Sequence, residues 1–180
     1  MQIAAAVFFA VTILLCSGCS TWKRLRGDSA AQSETRIAPV LAERVLRLKG
    51  AKAEEGVVRI DRLQFQQCAF GQKPTARVCV GDAVSMNHFR ADDYCKRLNL
   101  ENQRWRLPTR EELDGILLSE QPFVPLTDPE IFPGTPAMMF WTGSAFHGAN
   151  SSFWTVDFHD GRSRGETIFK NAYVRCVSES

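Results

Sequence analysis

Four cysteines, Cys68, Cys79, Cys95 and Cys176, constrain this 180-residue chain more than any other feature, because an even set in a small exported domain reads as a disulfide framework. Three connectivities are open to four cysteines. Zinc is the competing use of thiols. Against it, these four cysteines show no Cys-x-x-Cys spacing, no His-x-x-x-His occurs, and His88, His147 and His159 are scattered. Cys68 and Cys79 flank the turn-rich Gly71-Gln72-Lys73-Pro74, which can fold back as a hairpin and bring their sulfurs together. That pairing leaves Cys95 to Cys176, a bridge closing most of the domain.

Such bridges require an oxidising compartment, and the N-terminus points to one. The first 22 residues carry no charge, and Ile3 to Leu15 is apolar apart from Thr12. The run has the length of a signal-peptide core and falls short of the ~18 residues of a spanning helix. Small Ser17 and Gly18 then precede Cys19, and this Leu-Cys-Ser-Gly-Cys stretch resembles the lipobox of bacterial lipoproteins. The resemblance makes Cys19 the lipidated residue, since bulky Leu15 precedes Cys16. It predicts a signal peptide over 1–18 and attachment to a membrane through lipid on Cys19. Ser20 resembles the signal for outer-membrane sorting, which puts the domain in the periplasm or at the cell surface. An uncleaved anchor reaching Trp22 is the alternative, but Lys23, Arg24 and Arg26 after it would hold the cysteines in the cytoplasm.

The formal net charge of +2 excludes the concentrated basic face that nucleic-acid binding needs. Residues 20 to 50 hold a surplus of +4, so the remainder stands at −2 and the positive charge belongs to a basic tether over 19–56. Ile37, Leu41, Val45 and Leu48 give this tether one face of a short helix. The folded domain is then 57–180, with a composition, 44% hydrophobic and 23% charged, able to bury a core.

Within it, Val58 and Ile60, then Leu63 and Phe65, alternate in two registers and predict a bent or bulged strand. Ala91, Tyr94, Cys95 and Leu98 predict a helix from near Ser85 with Cys95 on its buried stripe. Thr109 and Glu112 form a capping box for a second helix carrying Leu113, Ile116 and Leu117, with Gly115 inside it. Five prolines between 119 and 137 exclude regular structure there. That loop is either a recognition surface or a crossover packed by Phe123, Ile131 and Phe132. Three β segments follow, Met138 to Thr142, Phe153 to Phe158 and Ala172 to Val177, with a hairpin turn at Asp160-Gly161. In the last, Val174 and Cys176 share one face, and Tyr173, Arg175 and Val177 the other.

Several segments together resemble the Lcl C-terminal domain family: Gln67-Cys68-Ala69-Phe70-Gly71-Gln72, Tyr94-Cys95-Lys96-Arg97-Leu98, Trp105-Arg106-Leu107-Pro108-Thr109-Arg110-Glu111-Glu112-Leu113, Phe140-Trp141-Thr142, Phe153 to Gly161, and Tyr173-Val174-Arg175-Cys176-Val177. The likeness spans about residues 57 to 178. It implies a C-type-lectin-like α+β domain with two short helices, a small mostly antiparallel sheet and long loops, stapled by two disulfides, an early helix being joined to the final strand. Formylglycine-generating enzymes resemble it more distantly, but their paired redox cysteines have no counterpart here.

The leading functional expectation is a ligand-binding or adhesin-type module; the alternative is a structural or assembly partner of another envelope protein. Calcium-dependent sugar binding lacks its motifs, because Gln121-Pro122 is followed by Phe123 and Trp154 by Thr155. Asp128, Glu130, Asp157 and Asp160 read as turn or solvated acids before they read as calcium ligands. The adhesin resemblance suggests an anionic glycan on Arg162, Arg164 and Lys170, which otherwise form a charged strand edge. Phe146 and His147, with the proline-rich loop, are contacts for a protein partner. No cofactor, metal or catalytic constellation is expected, and the chain does not read as an enzyme.

Overall fold

The computed structural model describes residues 56–75, 78–118 and 124–179, together with 43, 48 and 50–54. The expected signal peptide, Cys19 and most of the expected tether lie outside the described residues. What is described falls in one compact unit, Ala38–Ser180.

Nine strands and two helices alternate along the described chain: β1 (Lys52–Glu54), β2 (Val57–Ile60), β3 (Leu63–Gln66), β4 (Lys73–Pro74), β5 (Cys79–Val80), α1 (His88–Arg97), α2 (Arg110–Asp114), β6 (Met139–Ala145), β7 (Ser152–Asp157), β8 (Ser163–Thr167) and β9 (Val177–Glu179). They form an α+β domain with three antiparallel sheets, ordered β1-β2-β3-β9, β4-β5 and β6-β7-β8. The single bent strand expected over Val58–Phe65 is instead a hairpin, with Ile60 opposite Leu63. Asp61 turns it at a φ of 54°, a conformation that Asp tolerates better than most residues. The bulge lies in β6, between Trp141 and Ala145.

Asn87, not Ser85, starts α1, its side chain accepting from the Arg90 N–H. Thr109 and Glu112 form the expected capping box, but α2 ends at Asp114, so Gly115 caps it rather than sitting inside it. Beyond that point the N–H groups of Ile116 and Leu117 bond three residues back, to Leu113 and Asp114. This tighter winding turns Ile116, Leu117 and Leu118 into the core.

Both disulfides join the expected partners, Cys68 to Cys79 and Cys95 to Cys176, each with 5.5 Å between Cα atoms. Residues 172–177 are not one continuous strand. Ala172 bridges Met86, Tyr173 bridges Phe140, Val177 bridges Arg106, and only Val177–Glu179 joins a sheet. The expected alternation holds, with both faces buried. Val174 and Cys176 enter a cluster with Trp105, Leu107 and Trp141, whereas Val177 enters one with Phe65, Phe132 and Phe140.

Arg175 follows that alternation into the core. It is 0% exposed, with its guanidinium 4.4 Å from the Phe132 ring centroid and 5.5 Å from that of Phe140. Nη2 donates to Thr135 Oγ1 at 2.8 Å and to the Gln67 carbonyl at 3.2 Å, while Nε and Nη1 have no acceptor. Burial lowers its pKa to about 9.

Loop entropy predicts that C95A/C176A lowers the unfolding free energy by about 4 kcal/mol and C68A/C79A by about 3 kcal/mol, measured by urea denaturation. For the buried cation, R175M is expected to unfold within about 1 kcal/mol of wild type or above it, because two unbonded N–H groups are replaced by apolar surface. R175A, which leaves a cavity, is expected to lose about 3 kcal/mol in the same measurement.

Candidate ligand-binding face

The sheet β6-β7-β8 carries the densest group of partly exposed aromatic side chains. Trp154, central in β7, pairs across the ladder with Gly165 of β8. Phe146 follows β6, its N–H bonded to the Ser152 carbonyl at 2.9 Å, and its ring lies where a Cβ on Gly165 would stand, 2.2 Å from the nearest ring atom. A Cβ on Gly148 would meet the same ring at 2.4 Å. The glycines thus make room for Phe146, which meets Trp154 edge to face at 4.7 Å between centroids. The Arg110 guanidinium also lies 5.0 Å from the Trp154 ring centroid. Arg110 opens α2, and its N–H bonds to Ser144 Oγ at 3.0 Å, so α2 and β6 fix this cation together. A row of guanidinium, indole and phenyl results. The contact between Arg110 and Trp154 gave no sequence signal, because nothing local announces a partner 44 positions away.

The neighbouring side chain, Phe153, stacks on His88 at 3.7 Å, while His88 meets Trp141 edge to face at 5.1 Å. His88 Nε2 lies 3.0 Å from the Thr142 carbonyl, locking the first turn of α1 to β6. Burial lowers the His88 pKa, and the Thr142 carbonyl and Asp92 oppose that only in part.

Of the residues singled out in the sequence, Phe146 lies in this row and His147 is exposed beside it. Arg164 stands near the start of β8 and Lys170 in the turn beyond its end. Arg164 pairs with Asp157 at 3.1 Å and with Asp160, and Lys170 pairs with Glu166 at 2.7 Å. The Arg164 hydrogen bond holds the Asp160 carboxyl below its ordinary pKa. Arg162 is exposed and forms no ion pair among the described residues. Asp128, Asp157 and Asp160 each accept an N–H two residues on, as turn-forming acids do. Among the described residues no group of three or more His, Cys, Asp or Glu is placed to hold a metal ion.

The proline-rich loop lies outside the described residues at 119–123, Phe123 included. From 124 onward it packs as a crossover: Leu126 bonds both Leu118 and Phe158, and Phe132 is fully buried. In the Trp105-Arg106-Leu107 run, Trp105 and Leu107 fill the core, while Arg106 grips both Glu112 oxygens at 2.8 Å. Burial opposes the Glu112 charge, yet Arg106 and the Thr109 N–H hold its carboxyl below the usual range. Beside this pair, Asn102, Gln103, Arg104 and Glu179 line an open polar cleft of about 540 Å³.

The profile of the Lcl C-terminal domain matches residues 59–178. The chain belongs to this family. The Trp105-to-Leu113 motif and Cys176 fall inside the matched span, so the clamp between Arg106 and Glu112 and the Cys95–Cys176 bridge are features of this Lcl C-terminal domain. No curated protein matches the chain. Among the described residues, no helix is long and apolar enough to cross a membrane.

The His88 contact carries a pH dependence. Its folded pKa lies below the ordinary value of 6.5, so the unfolded chain binds the proton more readily. The neutral imidazole therefore contributes fully above the unfolded value, and that stability is lost as pH falls through the folded one. Denaturation midpoints measured from about pH 8 to about pH 5 should fall for wild type, and more shallowly for H88Q.

Proposed function

We propose that this is an envelope lipoprotein whose Lcl C-terminal domain is a ligand-binding module of the adhesin type, held at the outer membrane by lipid on Cys19 and facing the periplasm or the exterior. The observation that carries the reading is the row of Arg110, Trp154 and Phe146, partly exposed and fixed on a cross-linked frame. Flat apolar rings beside a cation suit the ring faces and hydroxyls of a glycan, and a frame ordered in advance spares the ligand the entropy of arranging them. Two disulfides support an oxidising compartment.

Because Arg164 and Lys170 are already paired, the aromatic row dominates recognition and Arg162 contributes the charge that tracks an anionic glycan. F146A and W154A are expected to weaken binding to a glycan panel by about tenfold or more, as loss of one stacked ring does. R162A is expected to reduce only the salt-dependent part. Unchanged binding in F146A, with the protein folded, would overturn the site.

A second reading, assembly with another envelope protein, draws on Val78, Val80 and Val84, each about half exposed around the β4-β5 hairpin. Glycan-independent crosslinking from Val80 to one envelope protein in intact cells would favour it.

A further inference from the structure

Two phenylalanines stand out on the surface: Phe169 is 80% exposed and Phe89 75%. They are distant in sequence but flank one backbone contact, since the His88 N–H donates to the Ile168 carbonyl at 3.1 Å and each phenylalanine is the next residue. Each is followed by a cation, Arg90 and Lys170. Neither ring packs on another aromatic side chain among the described residues, so neither serves the core.

The charges around them leave one cation over. Asn87, Ser151 and Asn171 are neutral neighbours along the chain or across the contact. The acids within reach are all engaged: Glu166 with Lys170 at 2.7 Å, Asp92 with Lys96 at 2.7 Å, and Asp93 with Arg97. Arg90 has no carboxylate partner among the described residues, which leaves this corner positive. Aromatic rings with adjoining long cationic side chains match the boundary of a bilayer, where rings enter the acyl edge and cations reach the phosphates.

We propose that Phe89 and Phe169 seat this end of the domain on an anionic lipid surface, with Arg90 against the headgroups. The contact rests on the reading that lipid on Cys19 holds the chain at a membrane. Two rings and one cation bind a free bilayer weakly, but a tether makes the encounter intramolecular, and the high effective concentration suffices to keep them docked.

The test uses full-length protein in vesicles of phosphatidylethanolamine and phosphatidylglycerol, with or without bromine on the acyl chains, as wild type, F89W and F169W. Flotation with the vesicles reports the tether. Emission of the added indole, after subtraction of the wild-type signal, reports the contact: a blue shift and loss of intensity in brominated vesicles are expected. A greater share of phosphatidylglycerol should deepen the quenching, and R90A should abolish that dependence. A chain that floats while both added indoles emit as in water overturns the contact and leaves the anchor standing; a chain that stays soluble overturns both. A blue shift that grows with protein concentration in the absence of lipid assigns the corner to a second copy, and one that requires added glycan assigns it to a sugar site. Either result overturns the lipid contact.

Discussion

The short run from Ala172 to Val177 is the seam on which the domain closes. Within six residues it bonds to the segment before α1 through Met86, to β6 through Met139 and Trp141, to the Phe70 turn, to β3 through Gln66, and to the Trp105 segment through Arg106. Its side chains alternate into two separate hydrophobic clusters, and Cys176 ties it covalently to α1. No continuous strand could serve so many partners, because a strand offers hydrogen bonds to two neighbours only. The disulfide keeps the segment in place while each residue bonds elsewhere.

Polar groups follow from that seam. Alternation sends Arg175 inward, where two phenylalanine rings, Thr135 and the Gln67 carbonyl receive a charge that finds no carboxylate among the described residues. Arg106, on the opposite side of the seam, completes the bridge to Val177 and then holds Glu112, which also caps α2. One guanidinium therefore couples the last strand to the second helix. The helix is only five residues long and depends on this outside support, since so short a helix has little stability of its own.

At the surface, charges are mostly spent on one another. Asp92–Lys96, Asp93–Arg97, Asp160–Arg164 and Glu166–Lys170 are all pairs four residues apart. Such pairs contribute little to stability, but they cancel the field that an unpaired cation would project. What remains distinctive outside is aromatic: the Arg110–Trp154–Phe146 row and the Phe89–Phe169 corner. Both belong to elements braced by His88, whose ring sits between Phe153 and Thr142. The face proposed for ligand and the corner proposed for lipid thus share one rigid support.

Local patterns in the chain determined much of this. The cysteine spacing and a turn-rich stretch yielded the disulfide pairing, the i, i+3, i+4 spacing placed Cys95 on a buried stripe, and Thr109 with Glu112 announced α2, because each signal acts between near neighbours. The ordered motifs likewise pointed to the family. Tertiary structure alone decided the rest. The β2-β3 turn at Asp61-Arg62 carries no glycine or proline to mark it, and β8 is a polar edge strand with no buried periodicity. The seam takes its hydrogen bonds from partners as far as 110 residues away. Whether Arg164 was free or paired, and whether Phe89 would meet Phe169, depended on which distant segments were brought alongside, a matter of packing that no short-range pattern encodes.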